Sequence, residues 1–156
     1  MATFTGRALR VLVVDDEHLI ADTLATIFRN NGFEARSVYS GYSAIQTAFA
    51  FYPDIVISDI HMSGINGINV ALTISRELPK SKFVLITGYP CSEENLDMAR
   101  ARGLQLLCLH KPISPQLLIN LLKNCALQLN VDCDTVGLRD PRKVSTIPAT
   151  FSRVRP

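Results

Sequence analysis

Hydrophobic and polar residues occur in blocks along the chain, and four of the apolar blocks share one design. Each is a short run of Val, Ile, Leu or Phe that ends in a polar residue: VLVVDDE at 11–17, IVISD at 55–59, FVLITG at 83–88 and LLCLHKP at 106–112. An unbroken apolar run of this length is typical of a strand covered on both faces, as in a parallel sheet. The pattern therefore predicts four buried parallel strands.

Residues with helical spacing fill the intervals between these runs. Phe33–Val38 adds a fifth predicted strand. Five helices are predicted: one after Asp16 that stops at Asn31-Gly32, two at about 41–51 and 67–78, and two that begin at the caps Ser92 and Ser114. Strands and helices that alternate in this way predict an α/β fold, with repeated βαβ units and helices on both faces of the sheet.

The length of the chain bounds its organisation. With 156 residues and 47% hydrophobic content, it is large enough for one domain with a substantial core. We expect that domain at 9–129, with an extension at 1–8 and a C-terminal arm or flexible tail at 130–156. Because the tail is too short for a core of its own, no fused output domain is expected.

Composition argues against several classes of protein. No apolar stretch is long enough for a membrane span and the N-terminus lacks the apolar block of a signal peptide, so we expect a cytoplasmic protein. The four cysteines form no CxxC pair, which disfavours a zinc cluster or a disulfide framework. Residues 1–130 hold 11 basic and 11 acidic side chains, and the tail is only weakly basic, so no direct DNA binding is expected.

The polar residues that end the strands should meet in one cleft. Carboxyl ends of parallel strands lie at one edge of a sheet, and in open α/β sheets ligands bind there. The residues at these ends are Asp15, Asp16, Asp59, Thr87 and Lys111. Three carboxylates, one hydroxyl and one ammonium are therefore predicted to converge, although they lie far apart in sequence.

The three carboxylates favour a metal site. At separations of about 4 to 6 Å each pair would repel by roughly 1 to 4 kcal/mol, and Lys111 offers only one compensating charge. A hard divalent cation such as Mg²⁺ prefers oxygen ligands. Taken singly, Asp16 is also explained as a helix cap, Asp15 as a solvated neighbour and Asp59 as a turn residue. Their joint position on strand ends favours magnesium binding by all three.

Thr87 and Lys111 extend the prediction from binding to chemistry. A hydroxyl and an ammonium suit the oxygens of a phosphoryl group, and a carboxylate can accept that group as an aspartyl phosphate. Asp59 is the best candidate for the acceptor, because it ends a central strand and precedes the Gly-containing loop SGING at 63–67. Such a loop lets a bulky phosphodonor approach.

The same segments, taken in order, resemble those of a known family. Over about residues 9–128 the chain resembles the receiver domain of response regulators in two-component signal transduction. VVDDE resembles the family's metal-binding pair, SDIHMSGING its phosphoacceptor segment, LITG the segment that ends in its switch threonine, and HKPI its lysine followed by a proline that is typically in cis. Each segment is weak evidence alone, whereas four in the family's order and spacing are specific.

The resemblance implies a fold and a set of roles. The fold is a flavodoxin-like, doubly wound five-stranded parallel sheet in the order 2-1-3-4-5, with helices on both faces. Asp59 is the implied phosphorylation site, and Thr87 and Lys111 are the residues that act on it. The implied cofactor is Mg²⁺, with these ligands: Asp15, Asp16, Asp59 and the backbone carbonyl of His61. The domain would be a phosphoacceptor with self-catalysed phosphorylation and slow autodephosphorylation, rather than an enzyme with steady turnover.

Two positions depart from the family's usual pattern. Ser63 stands where the family generally has a proline, which loosens the loop after the phosphosite because serine lacks a fixed φ. Cys108 stands where an aromatic residue usually rotates inward on activation, and a thiol is too small to report that movement in the same way. His61 and Tyr89 lie two residues beyond the phosphosite and the switch threonine. They either shape water access and autodephosphorylation or are exposed rim residues.

The implied phosphodonor is a histidine kinase or a histidine phosphotransfer protein, and the signal would leave by protein contact or onward phosphotransfer to an unknown partner. Two competing functions stay open. One is a magnesium-dependent phosphatase that works through an aspartyl phosphate, which would need a general acid and a substrate cap. The other is a receiver-like interaction module that needs no phosphate.

Leucines of the last helix either form a homodimer face with the fourth helix or pack in the core: Leu117, Leu118, Leu121 and Leu122.

Overall fold

The computed structural model describes residues 7–89, 93–104 and 106–128. Five strands and five helices alternate in this part of the chain, as the sequence pattern predicts. In chain order they are β1 (Arg10–Val14), α1 (His18–Asn30), β2 (Glu34–Val38), α2 (Gly41–Phe51), β3 (Ile55–Asp59), α3 (Gly67–Glu77), β4 (Lys82–Thr87), α4 (Glu93–Ala101), β5 (Leu106–His110) and α5 (Pro115–Gln128).

All five strands are parallel and form one sheet in the order β2-β1-β3-β4-β5. The predicted flavodoxin-like topology is confirmed. The direction of winding reverses between β1 and β3, which opens a crevice at the carboxyl ends of these two strands. The register places Asp59 opposite Ile86, and Thr87 opposite His110. The ends of β3, β4 and β5 are therefore adjacent along one edge of the sheet.

Side chains from both faces of the sheet are buried, which explains why the strands carry unbroken apolar runs. On one face, residues such as Val13 and Ile57 pack against α1 and α5. On the other face, residues such as Leu12 and Phe83 pack against α2, α3 and α4. Cys108 is fully buried in this second cluster. The two cores fix the sheet rigidly and leave its carboxyl edge for the functional residues.

The helix ends follow local chemistry. The Ser40 side chain accepts a hydrogen bond from the Ser43 N–H, and Ser114 accepts one from the Leu117 N–H at 3.1 Å. Both are therefore N-caps, as predicted for Ser114. The predicted cap Ser92 lies outside the described residues. At α1 the N-cap is Glu17, without a side-chain cap bond. Asp16 therefore does not cap the helix, and that explanation of its carboxylate is removed.

Leucines of α5 pack mainly within the chain. Leu118, Leu121 and Leu122 are buried in the core, whereas Leu117 is partly exposed. Core packing thus accounts for most of the apolar stripe, and the homodimer face stays a prediction. The predicted tail at 130–156 lies outside the described residues. No helix in the described part of the chain has both the length and the apolar character to cross a bilayer.

Candidate functional site

Strand ends position the predicted site residues. The β1–β2 ladder continues to Asp15, whose N–H donates to the Val38 carbonyl at 3.2 Å. The β4–β5 ladder continues in the same way to Lys111, whose N–H donates to the Thr87 carbonyl at 2.8 Å. Backbone pairing thus holds both residues one position beyond their strands. Their side chains are aimed by the sheet and not by a mobile loop.

The structure brings the three carboxylates together. Oxygen atoms of Asp15, Asp16 and Asp59 all lie within 4.8 Å of one another. Asp15 and Asp59 are buried, whereas Asp16 is exposed. At these separations the carboxylates repel each other by roughly 1 to 4 kcal/mol per pair. A folded chain that carries such a cluster gains stability from any cation that binds there.

Lys111 supplies one positive charge to this cluster. Its Nζ lies 2.8 Å from Asp59 Oδ2 and 3.9 Å from Asp15 Oδ2. Partial burial alone would lower the pKa of Lys111, but its hydrogen bond to Asp59 and the charges of Asp59, Asp15 and Glu17 raise it. The ammonium therefore stays charged at neutral pH. The peptide bond between Lys111 and Pro112 is cis.

Backbone N–H groups orient the two buried carboxylates. Asp15 Oδ1 accepts from the Glu17 N–H at 2.9 Å, and Asp59 Oδ1 accepts from the His61 N–H at 3.0 Å. Burial is the main reason that the pKa of Asp15 is raised, and the charges of Asp59 and Asp16 add to the effect. The Glu17 N–H and Lys111 oppose it without cancelling it. A proton therefore competes with a bound cation for the Asp15 carboxylate.

Gly67 brings the start of α3 against the end of β3. A Cβ on this glycine would overlap the carbonyl oxygen of Asp59 and would lie 3.0 Å from Ile60 Cα. The Gly67 N–H donates to the Ile60 carbonyl at 3.0 Å, which closes the loop that follows β3. Within that loop Gly64 has a φ of 78°, a left-handed conformation that favours glycine. The glycines thus serve the shape of the loop.

Thr87 ends β4, but its hydroxyl does not reach toward the carboxylates. The side chain is fully buried. Its Oγ1 donates to the Tyr89 carbonyl at 2.9 Å and accepts from the Tyr89 N–H at 3.2 Å. Of the five residues predicted to converge, four therefore form the charged cluster. The fifth lies on the adjacent strand end with its hydroxyl bonded to its own turn.

Two aromatic pairs flank the cluster. The rings of His61 and Tyr89 meet edge to face, with centroids 5.3 Å apart. The rings of His18 and Tyr39 stack with centroids 3.8 Å apart, and the Tyr39 hydroxyl donates to Asp22 at 2.8 Å. His61 and Tyr89 are residues predicted from the sequence to lie beside the site, whereas the pair of His18 and Tyr39 was not predicted. No local pattern links His18 to Tyr39, because only the β1–β2 pairing brings α1 beside the end of β2.

An apolar groove of about 440 Å³ opens beside the charged cluster. It runs between α1 and the segment that follows β5, and Leu19 at its border is 80% exposed. This groove was not predicted from the sequence, because its two walls come from distant parts of the chain. Its lining consists of Asp15, Leu19, Ile20, Thr23, Leu24, Ile86, Lys111, Pro112, Ile113 and Leu118.

Comparison with known proteins decides the family. A family model described as the response regulator receiver domain matches residues 11–123 of this chain. The chain belongs to the response regulator receiver family. Accepting a phosphoryl group is the general function of receiver domains, they interact with histidine kinases, and they bind Mg²⁺ at an acidic cluster. The strand-end carboxylates described above form such a cluster in this receiver domain.

Individual relatives agree with this assignment. Regulatory protein AtoC of Escherichia coli strain K12 is 30% identical over 120 residues, which are 77% of this chain and 25% of AtoC. The DNA-binding response regulator MtrA of Mycobacterium tuberculosis is 36% identical over 61 residues, which are 39% of this chain and 27% of MtrA. The chain thus spans about a quarter of the length of these curated relatives.

Solved structures support the fold. A CheY-like receiver domain protein from Methanospirillum hungatei superimposes with a TM-score of 0.70 at 23% identity. The match covers 76% of this chain and 94% of that structure. At this level of identity the likeness speaks for the fold alone, and the roles of individual residues depend on the geometry of this chain.

The donor set of the acidic cluster fits magnesium. Every candidate side-chain ligand is a carboxylate oxygen, and hard cations prefer oxygen. Ligands about 2.1 Å from a shared Mg²⁺ are at most about 4.2 Å apart, close to the spacing of these oxygens. Small side-chain shifts therefore suffice. Three carboxylates that each offer one oxygen cannot supply the six ligands of an octahedral ion, so Mg²⁺ would keep several waters.

Proposed function

We propose that this receiver domain accepts a phosphoryl group on Asp59 with the help of Mg²⁺. The observation that carries the proposal is the charged cluster, in which Lys111 Nζ lies 2.8 Å from Asp59 Oδ2 while three carboxylates share one small volume. Asp15, Asp16 and the backbone carbonyl of His61 complete the proposed metal ligands. The proposed domain covers residues 9–129 and works in the cytoplasm.

The proposed step is an in-line phosphoryl transfer. An oxygen of Asp59 forms a bond to phosphorus while the phosphorus–nitrogen bond of a phosphohistidine donor breaks. The electron pair of that bond stays on the imidazole nitrogen, which takes up a proton. Lys111 stabilises the oxygens of the transferred group and releases Asp59 Oδ2 as it does so. Bound Mg²⁺ supplies further positive charge to the phosphoryl oxygens.

The groove beside the cluster supports a protein as the donor. Asp15 and Lys111 belong both to the charged cluster and to the wall of the groove. A donor that presents a phosphohistidine to Asp59 can bury apolar side chains in the same encounter, against residues such as Leu19 and Ile113. A histidine kinase or a histidine phosphotransfer protein has the size to make both contacts. A small phosphoester would use the charged cluster alone.

Intact mass after incubation with acetyl phosphate and Mg²⁺ tests the proposal. We expect one phosphoryl group on the wild-type chain and none on Asp59→Asn. Asp97→Asn is the matched control, because Asp97 is an exposed carboxylate on α4 away from the cluster. A folded wild-type chain that takes up no phosphate, from acetyl phosphate or from a histidine kinase, would contradict the proposal and support the phosphate-independent module.

The same incubation separates the competing enzyme. Steady release of inorganic phosphate over many turnovers would support a phosphatase, whereas we expect a single modification followed by slow loss. For the output we propose protein contact or onward phosphotransfer by these 156 residues, without direct DNA binding. Gel-shift assays with the phosphorylated chain test the last point, since MtrA is named as a DNA-binding protein.

A further inference from the structure

A ring contact joins the loops that follow β3 and β4, beside the proposed phosphoacceptor. His61 lies in the first loop and Tyr89 in the second, and their ring planes are nearly perpendicular at 87°. Tyr89 is 68% exposed, so its ring lies outside the core, where it contacts the ring of His61. Edge-to-face pairs of this kind are favourable because the positive edge of one ring meets the negative face of the other.

Each ring residue is also tied to a functional side chain through its backbone. The His61 N–H donates to Asp59 Oδ1, and the Tyr89 N–H donates to the hydroxyl of Thr87. A continuous series of contacts therefore runs from the Asp59 carboxylate through the two rings to Thr87. The series shares Asp59 with the charged cluster but does not involve Lys111.

The Thr87 hydroxyl cannot donate a hydrogen bond to the Tyr89 carbonyl and to a phosphoryl oxygen at the same time. A hydroxyl has one proton to donate, and Thr87 donates it to the Tyr89 carbonyl at 2.9 Å. Donation to a phosphoryl oxygen on Asp59 requires that this bond be released. Movement of the Tyr89 backbone releases it, and the ring contact with His61 resists that movement.

We propose that Tyr89 is a positioning residue that latches the unphosphorylated state. Its ring, held by His61, keeps the 87–89 turn closed and the Thr87 hydroxyl away from the cleft. The inference rests on the proposed function, because a phosphoryl group on Asp59 is what competes for Thr87. It goes beyond that function, because the latch sets how easily the Thr87 hydroxyl leaves Tyr89 for the phosphoryl group, and not whether Asp59 accepts phosphate.

Titration with beryllofluoride in the presence of Mg²⁺ tests the latch, with the Thr87 and Gly88 amides followed by NMR. The stabilisation from an aromatic pair of this kind changes an equilibrium constant by a factor of about two to ten. Tyr89→Ala should therefore bind the phosphoryl mimic about two- to tenfold more tightly than wild type. Tyr89→Phe keeps the ring and should match wild type. His61→Ala is a second, independent way to open the latch and should match Tyr89→Ala.

Two further variants separate a latch from a general loosening of the loops. The double variant with both changes should bind no more tightly than either single variant, since both remove the same contact. In a Thr87→Val background Tyr89→Ala should have no effect, because no hydroxyl is left to release.

The outcomes distinguish the latch from the function on which it rests. Equal or weaker binding by Tyr89→Ala and His61→Ala, with a normal wild-type response, would overturn the latch and leave phosphorylation of Asp59 intact. A folded wild-type chain that does not bind the mimic at all would overturn both.

Discussion

The ends of β3 and β4 lie side by side in the sheet but are built differently. At the end of β3 both carboxylate oxygens of Asp59 already have partners, the Lys111 ammonium and the His61 N–H. Gly67 packs against the backbone of the same residue. At the end of β4 the Thr87 hydroxyl is bonded to Tyr89 and takes no part in the charged cluster.

This difference separates the chemistry from the switch. Groups that already lie beside the reacting oxygens need little reorganisation during phosphoryl transfer, since Lys111 has only to pass from Asp59 Oδ2 to the transferred group, and this favours reaction at Asp59. A hydroxyl that must change partners gives the domain two states, and phosphorylation can shift the population between them. We therefore expect changes near Asp59 to affect the reaction and changes near Thr87 to affect the response.

The largest expected effect is that of Lys111→Ala on the rate of phosphorylation. Loss of one preorganised charge beside the reacting oxygens should slow the transfer by about a hundredfold, or roughly 3 kcal/mol. Mg²⁺ binding should persist, because the carboxylates remain, whereas any gain in partner affinity on phosphorylation should be lost. Rates of mass increase with acetyl phosphate measure the first effect, and Lys123→Ala, an exposed lysine on α5, is the control. Equal rates would remove Lys111 from the mechanism.

Two glycine substitutions compare the packing of the two strand ends. Gly67→Ala should lower the free energy of unfolding by about 1 to 3 kcal/mol, because its Cβ would overlap the Asp59 carbonyl oxygen. Gly88→Ala should be nearly neutral, since its nearest neighbour would be Lys111 Cδ at 3.9 Å. Urea unfolding of both variants measures the difference. Similar losses at both positions would show that the β4 end is packed as tightly as the β3 end.

Asp15→Asn should stabilise the metal-free protein by about 1 kcal/mol, because it removes a buried charge and its repulsion with Asp59 and Asp16. Folding raises the pKa of Asp15, so the folded chain holds this proton more tightly than the unfolded chain. The contribution of protonated Asp15 to the free energy of unfolding is greatest below the pKa that Asp15 has in the unfolded chain. It is lost as pH rises through the higher pKa of Asp15 in the folded chain.

Thermal unfolding of wild type and Asp15→Asn, at pH values from below the unfolded pKa of Asp15 to above its folded pKa, measures both the stability of the variant and its dependence on pH. The series is run without and with Mg²⁺. The variant should lose the fall in stability with rising pH. Mg²⁺ should stabilise wild type more strongly than the variant, since a ligand that binds only the folded state stabilises it. A wild-type chain that gains nothing from Mg²⁺ would contradict the proposed metal site.

The smallest expected effect is that of Thr87→Val on phosphorylation itself. The rate with acetyl phosphate should change by less than about threefold, under 1 kcal/mol of barrier, because the hydroxyl does not contact the cluster in this state. The Tyr89 amide should exchange with solvent faster, since it loses its acceptor. Hydrogen exchange measures the second effect. A large drop in rate would place Thr87 in the chemistry and erase the contrast between the two strand ends.

Much of the fold could be predicted because buried parallel strands leave a strong signal. The runs at β1, β3, β4 and β5 are apolar on both faces, and the start of α5 follows from the local capping chemistry of Ser114. The convergence of the carboxylates also follows from topology alone, since the carboxyl ends of parallel strands lie at one edge of the sheet.

Orientation and long-range pairing could not be predicted. The bond from Thr87 to Tyr89 depends on a rotamer and on the local turn, neither of which changes the hydrophobic pattern. The stack of His18 on Tyr39 and the apolar groove depend on how α1 sits against its neighbours. These features combine residues from separate elements, so no spacing along the chain encodes them.

Location of the phosphate on the chain tests the central claim most directly. After incubation with acetyl phosphate and Mg²⁺, borohydride reduces an aspartyl phosphate to homoserine, and peptide mass spectrometry then locates the converted residue. We predict homoserine at position 59 alone, and none when Mg²⁺ is removed by a chelator. Conversion of a different residue, or an unmodified Asp59 in a folded chain with Mg²⁺ present, would contradict the account.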